Sequence, residues 1–421
     1  MLDGIVKDVM SEKSAREGAE KKEIHGNSPD SSSQVEASPF GKKPIRKPEL
    51  GEPAPSEFPS EAKPEAEPRG EEPAPAEAKP EGEVEENSSI RISVIGVGGA
   101  GCNSVSRMKK GGIKSARTLA VNTDKLHLKV IDAHGKHLLG KMVTKGLGSG
   151  GDPKVAEKAA DSDKDALRKV IGENEIVFVC AGMGGGTGTG ASPLIARLAK
   201  EQGATVVGVV TYPFRIERSR IHRAREGLKN LMKEADTVIV IENDLLHEYA
   251  PNLPIDKAFA LADEIASRAV RGISDLVMFP SMMNVDYADV RSIMKDGGLA
   301  MISVGKGSGT GAGMVEEVVS TTRNNPLLRV SYEGAKGALI HVEGSKGLSL
   351  GDATQICCGI SEDFHEDAEV KMGARVNEDL AGSIAVTAVI TGVAAPHLFE
   401  DTPREAQPAA APESEILASI L

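Results

Sequence analysis

The sequence predicts an α/β protein: a Rossmann-like parallel sheet, then a long central helix, then a second, mixed α/β domain. Short apolar, β-branched runs alternate with helical stretches, the pattern of a parallel sheet with crossover helices. Glycine clusters fall at the ends of those runs, where open α/β sheets place their ligands. An unbroken helical pattern runs from Ile255 to about Ile273, with further strands beyond it.

Taken in order, "IRISVIGVG" from Ile90 reads as a buried strand. Residues 103–110 form a helix, which Gly111 and Gly112 stop. "ARTLAVNTD" is a second strand, and 163–171 is helical in pattern. "EIVFVCAGMG" is a third strand, followed by a helix over 191–201. "ATVVGVVTYPF" and "DTVIVIEND" are further strands, separated by a charged helix over about 220–233. After the long helix, "LAMISVGKG", "GALIHVEG" and "AVTAVITGV" are strands among helical segments. The expected boundaries are an extension over 1–89, a ligand-binding domain over 90–254, the central helix and following segment over 255–279, a second domain over 280–393, and a flexible tail over 394–421.

The extension differs in kind. From about Gly41 to Ser89 it is rich in Pro, Glu, Ala and Lys, with too few apolar side chains to offset the entropy of ordering. It reads as a disordered linker. Leu2, Ile5, Val6 and Val9 repeat at helical spacing, which suits either a short docking helix or a frayed terminus. Asp3, Asp8 and Glu12 weigh against a membrane helix there.

The formal net charge of -12 and a pI of about 5.4 argue against nucleic acid or anionic lipid as the main partner. Any anion site must be local. The four cysteines, Cys102, Cys180, Cys357 and Cys358, make no disulfide framework and suit a reducing compartment. No apolar run approaches the ~20 residues of a spanning helix, and no apolar signal region follows the start. These features predict a cytoplasmic protein that does not insert directly into membranes.

The first glycine cluster is Gly96-Val97-Gly98-Gly99-Ala100-Gly101-Cys102-Asn103. The second is Gly146-Leu147-Gly148-Ser149-Gly150-Gly151-Asp152-Pro153, and the third runs from Gly182 to Gly190. Glycines let a backbone approach a phosphate and aim N–H groups at it beside a helix start. The first cluster alone fits a nicotinamide-binding fingerprint equally well, and any one loop could be an ordinary tight turn. Three loops at strand ends are harder to explain as turns. No Gly-Lys-Ser or Gly-Lys-Thr occurs, so a Walker-type loop is absent and backbone amides must do most of the holding.

"GGGTGTG" at 184–190 resembles the signature of the tubulin/FtsZ family. "GVGGAGCN", "NTD" at 122–124, "GLGSGGDP" and "NVDYADVRSIM" at 284–294 extend the resemblance to about residues 90–393. The pattern is that of an archaeal member with a long N-terminal extension. The resemblance implies a GTPase that assembles into filaments for cell division, with a GTP-binding domain, a central helix and a C-terminal GTPase-activating domain.

It implies that Gly98, Gly99, Ala100, Gly101 and Asn103, with Gly184, Gly185, Gly186, Thr187, Gly188, Thr189 and Gly190, wrap the phosphates. Gly148, Ser149 and Gly150 sense the γ-phosphate, and Asn122 belongs to the same site. Glu217 matches the ribose-binding glutamate. Its arginine partner stands four residues on in the family; here Arg220 follows by three, with Arg218 and Arg223 nearby, and Arg220 is the favoured match. Phe259 stacks on the base, although by itself it also suits core packing. Asp263 reads the base edge: a carboxylate accepts from guanine N1–H and the 2-amino group together, and adenine offers no such pair.

Asn284, Asp286 and Asp289 match the catalytic loop, where carboxylates orient water for in-line attack. Mg²⁺ is implied as the counter-charge; no protein metal ligands are assigned. The implied partners are further copies of the chain, head to tail, and a membrane-anchoring adaptor of SepF-like type on one of the tails. The expected location is the mid-cell division site. The alternatives are an assembling paralogue with weak hydrolysis that acts as a regulator, and a nicotinamide-dependent oxidoreductase, which needs neither "GGGTGTG" nor an acidic loop after a long helix.

Overall fold

A computed structural model describes residues 90–249, 255–279, 283, 285–309, 311–324, 329–380 and 382–399. The readings made for 1–89 and for 400–421 lie outside the described residues.

Ten strands are described: β1 Ile92–Val97, β2 Arg117–Asn122, β3 Gly135–Leu138, β4 Ile176–Gly182, β5 Thr205–Tyr212, β6 Thr237–Glu242, β7 Gly298–Ser308, β8 Gly337–Gly344, β9 Glu369–Val376 and β10 Ser383–Thr391. The helices are α1 Gly98–Lys110, α2 Lys125–Val130, α3 Lys141–Thr144, α4 Pro153–Ser162, α5 Lys164–Ile171, α6 Thr187–Glu201, α7 Arg218–Glu234, α8 Asn243–Tyr249, α9 Ile255–Met278, α10 Tyr287–Met294, α11 Ala312–Arg323 and α12 Leu350–Ser361. The four-residue β3, the short α2 and α3, and β9 had no clear signature in the sequence. Each is too short or too exposed to show a sustained apolar period.

All ten strands join one sheet, in the order β3-β2-β1-β4-β5-β6-β7-β10-β8-β9. The first six are parallel to their neighbours. A short parallel register, from Thr237↔Gly298 to Ile239↔Ala300, carries the sheet across to β7. There the direction changes: β10 runs antiparallel to both β7 and β8, and β9 closes the edge parallel to β8.

The near-continuous apolar strands are explained by burial on both faces. On β1, Ile95 and Val97 enter one core with Leu194, Leu198, Leu228 and Leu231 of α6 and α7. Ile92 and Val94 enter the other, where α9 packs through Leu261, Ile265, Ala269, Ile273 and Leu276. Those α9 residues recur every three or four positions, so one stripe of the helix lies on the sheet.

The segment after β10 turns back onto the first six strands. Ala395 and Leu398 are buried. The Leu398 carbonyl accepts from Arg225 Nε at 3.2 Å and from the Tyr212 hydroxyl at 3.5 Å. His397 Nε2 meets Glu242 Oε1 at 3.0 Å. The stretch read as a tail from 394 therefore begins packed, up to Phe399.

Candidate nucleotide-binding site

The strand order reverses between β1 and β4, so the crevice of an open α/β sheet opens at their carboxyl ends. The first glycine loop leads from β1 into α1, and the third leads from β4 into α6. Neither helix start carries a side-chain cap. Nearby α2 and α4 are capped by Asp124 and Asp152. The first-turn N–H groups of α1 and α6 thus keep their capacity for an anion, reinforced by two helix dipoles.

The glycines divide by what a Cβ would meet. At Gly98, with φ +74°, it would lie 2.7 Å from Gly188 N; at Gly184, 2.6 Å from the Arg220 carbonyl. Gly101, Gly186 and Gly190 are closed off in the same way by Cys180 O, Ser149 Oγ and Pro153 O. These residues let the loops interlock. At Gly99 and Gly150 a Cβ would meet nothing within 4 Å, and at Gly185 only Gly182 O at 3.9 Å. All three face open space, which forms a cradle; Gly150 has φ +61°, which by itself favours glycine, whereas at Gly99 and Gly185 neither packing nor backbone conformation requires the lack of a side chain.

Gly148 N donates to Thr123 O at 3.1 Å, fastening the second loop to the end of β2. Thr187 joins the loops through its hydroxyl, 2.7 Å from Thr123 Oγ1 and 3.4 Å from Ser149 Oγ. Thr189 instead packs its methyl toward Gly227 of α7, away from the cradle; its buried hydroxyl has no protein partner. Ala100 and Asn103 are exposed on α1. His127 spans Asn122 Nδ2, at 3.2 Å from its Nδ1, and Asn103 Oδ1, at 3.1 Å from its Nε2. Thr123 and His127 escaped the sequence reading as site residues; Thr123 lay inside "NTD", but nothing marked His127.

Glu217 Oε1 accepts from Phe214 N at 3.1 Å, and Oε2 is ion-paired with Arg220. The Arg220 backbone abuts Gly184 of the third loop. A different arginine reaches the second loop: Arg223 donates to the Gly151 carbonyl. Phe259 is 44% exposed and meets Phe214 edge-on, with ring centroids 5.9 Å apart. It stands outside both core clusters. Asp263, one turn along α9, accepts from Ser104 Oγ at 2.6 Å, directly behind the first loop. Burial pushes its carboxyl up to about 6, against the opposing pull of the Ser104 hydrogen bond and of Arg107.

The acidic residues lie elsewhere. Asp286 and Asp289 form a reciprocal capping box at the start of α10. Asn284 lies outside the described residues. The Tyr287 hydroxyl donates to the Glu175 carbonyl at 3.1 Å and lies 3.2 Å from Thr205 Oγ1. Glu175 and Thr205 stand at the amino ends of β4 and β5. The glycine loops stand at the carboxyl ends, a strand length of roughly 20 Å away. One chain therefore brings together the glycine loops, Glu217, Phe259 and Asp263, but not Asp286 and Asp289. Lys371 Nζ lies 2.8 Å from Asp289 Oδ1 and, as the main cause, holds that carboxyl below its ordinary range. No group of three or more His, Cys, Asp or Glu able to hold a metal occurs among the described residues. No helix among them is long and apolar enough to cross a membrane.

Comparison with known proteins accords with this arrangement. Residues 91–251 match the model for the tubulin/FtsZ family GTPase domain, and 298–394 that for the FtsZ family C-terminal domain. Cell division protein FtsZ 2 of Methanocaldococcus jannaschii is 48% identical over 315 residues, spanning 75% of this chain and 83% of that protein. Cell division protein FtsZ 2 of Haloferax volcanii is 47% identical over 303 residues, 72% and 75% of the two chains. A solved structure of an empty FtsZ dimer from M. jannaschii superposes with a TM-score of 0.69 at 42% identity, covering 73% of this chain and 89% of that one. The chain thus belongs to the tubulin/FtsZ family, with that family's GTPase domain ahead of its FtsZ-type C-terminal domain.

Proposed function

We propose that the chain is a GTP-dependent, self-assembling GTPase of the cell-division cytoskeleton, whose active site is shared between two copies stacked head to tail. The observation that carries this is the separation of the two half-sites at opposite ends of β4 and β5. Asp286 and Asp289 cannot serve the cradle of their own chain across roughly 20 Å. A heterologous contact brings one copy's acidic end onto the next copy's cradle, and such a contact propagates into a filament. Exposed apolar side chains near the cradle suit a covered rim: Leu126 and Leu147 are 71% and 83% exposed, and Ile216 is 88% exposed.

In this reading the amides of α1 and α6 hold the phosphates, and Gly148, Ser149 and Gly150 meet the γ-phosphate. Glu217 binds ribose, with Arg220 as its partner. Phe259 stacks on the base, and Asp263 accepts from guanine. Asn284, Asp286 and Asp289 of the neighbour orient the attacking water. A Mg²⁺ ion would be carried mainly by the phosphate oxygens. That ion would screen their charge during in-line attack. An adaptor of SepF-like type on one of the tails would bring cytoplasmic filaments to the membrane at mid-cell.

The test is GTP turnover per molecule as protein concentration rises through the assembly threshold. Turnover should climb steeply at the threshold. Constant turnover well below it would mean that one chain holds a complete site. Mixing supplies a second arm: Asp289→Asn, with an intact cradle, and Gly99→Val, with an intact acidic loop, should each be nearly inactive alone and recover partial turnover together.

A further inference from the structure

The segment bearing Asp286 and Asp289 is fastened along the edge strand β9 at successive points. Met283 bridges Ala374 in antiparallel fashion. Val285 lies over Gly373, where a Cβ would sit 3.3 Å from Val285 Cγ2. Asp289 Oδ1 meets Lys371 Nζ at 2.8 Å. Ser292 Oγ donates to Glu369 Oε1 at 2.9 Å. As the acidic segment advances, its contacts step back along β9.

Within this fastening, Lys371 supplies the positive charge. Its ammonium also lies 3.3 Å from Glu369 Oε1, so two carboxylates share it. The oxygens of Asp289 are divided between partners: Oδ1 faces Lys371, and Oδ2 accepts from Asp286 N at 3.3 Å. The carboxylate is thereby held in rotation from both sides. Without the ammonium, Asp289 and Glu369 would repel each other across a half-exposed surface.

We propose that Lys371 is a positioning residue of the shared active site. It holds Asp289 in one orientation and carries a positive charge with it toward the triphosphate of the neighbouring subunit. This rests on the head-to-tail reading above. Two aspartates approaching a triphosphate meet like charge, and an ammonium that travels with them offsets part of it. Half-exposed ion pairs contribute little to folding, so Lys371 can be changed without unfolding the protein.

The experiment compares full-length Lys371→Met and Lys371→Arg with the unaltered chain. It reads three quantities: GTP binding by unassembled subunits, thermal unfolding, and turnover per assembled subunit. Lys371→Met should lower turnover per assembled subunit by about 10- to 100-fold, the cost of a misplaced catalytic group, with GTP binding and unfolding unchanged. Lys371→Arg keeps the charge and should stay within about threefold of the unaltered chain. Adding Glu369→Gln to Lys371→Met removes the repulsion and should restore part of the loss. A structural role would move unfolding, and Arg would not rescue it selectively. Full turnover by assembled Lys371→Met overturns the proposal, as does Lys371→Arg failing as badly as Lys371→Met. Concentration-independent turnover of the unaltered chain would instead overturn the head-to-tail reading itself.

Discussion

Asp263 sits where function and stability conflict, and Asp263→Asn separates them. Its carboxyl is raised from 3.8 to about 6, chiefly by burial. The folded state therefore binds the proton more tightly than the unfolded chain does. The stability this contributes is fully present below pH 4 and is lost as pH rises through 6. Two units at 1.36 kcal/mol each make the ionised side chain cost up to about 3 kcal/mol at pH 7.5, relative to a carboxyl with no shift. Asparagine is nearly isosteric, can still accept from Ser104, and carries no charge. The nucleotide-free variant should thus be more stable than the unaltered protein at pH 7.5 by up to about 3 kcal/mol, and the difference should shrink toward pH 4. Guanine preference should fall at the same time, on the order of 10²-fold, because an amide offers one acceptor and turns its other end into a donor. Urea unfolding at pH 7.5 and pH 5 reads the first effect, and competition between GTP and ATP reads the second. A variant less stable at pH 7.5 would refute the burial argument. Unchanged guanine preference would move the base contact elsewhere.

Three further outcomes follow from the cradle and the sheet. Gly188→Val should destabilise the loops by about 1–3 kcal/mol as well as weaken GTP binding, because a Cβ there would lie 2.7 Å from Gly182 O and 3.3 Å from Val97 O; an unchanged melting profile would contradict this. Gly99→Val faces only the open cradle, so it should leave unfolding intact while weakening GTP binding on the order of 10- to 100-fold, read by nucleotide titration. A protein beginning at Ser88 should unfold cooperatively and hydrolyse GTP at close to the full-length rate, with its partner binding or bundling altered; loss of a cooperative transition on calorimetry would make the extension structural.

Much of the fold was legible because its strands are buried on both faces. "ISVIGV" and "TVIVIE" are dominated by β-branched apolar residues, and a run of that kind shows in sequence without any partner in view. The glycine loops were legible for a related reason. Backbone recognition of phosphate removes side chains, and their absence is itself a pattern. β3 and β9 stayed hidden because strands of their length and exposure owe their place to neighbours. Net charge averages over unlike segments: thirteen glutamates against three basic residues lie in 48–89, so much of the acidity belongs to that stretch.

The sequence by itself marked most of the candidate site residues, since loop composition and acidic spacing are local properties of the chain. Only the tertiary structure decided how they are packed and distributed. Gly188 and Gly99 look alike in sequence, yet one is closed off by two carbonyls and the other faces open space. Arg220 and Arg223 look alike, yet one pairs with Glu217 and the other holds Gly151. Asp263 and Asp289 are both acids near the long helix, but burial raises one and Lys371 lowers the other. Such differences are set by what folds up against each residue from distant parts of the chain. So is the separation of the acidic loop from the cradle, because it follows from which end of a parallel strand each loop adjoins.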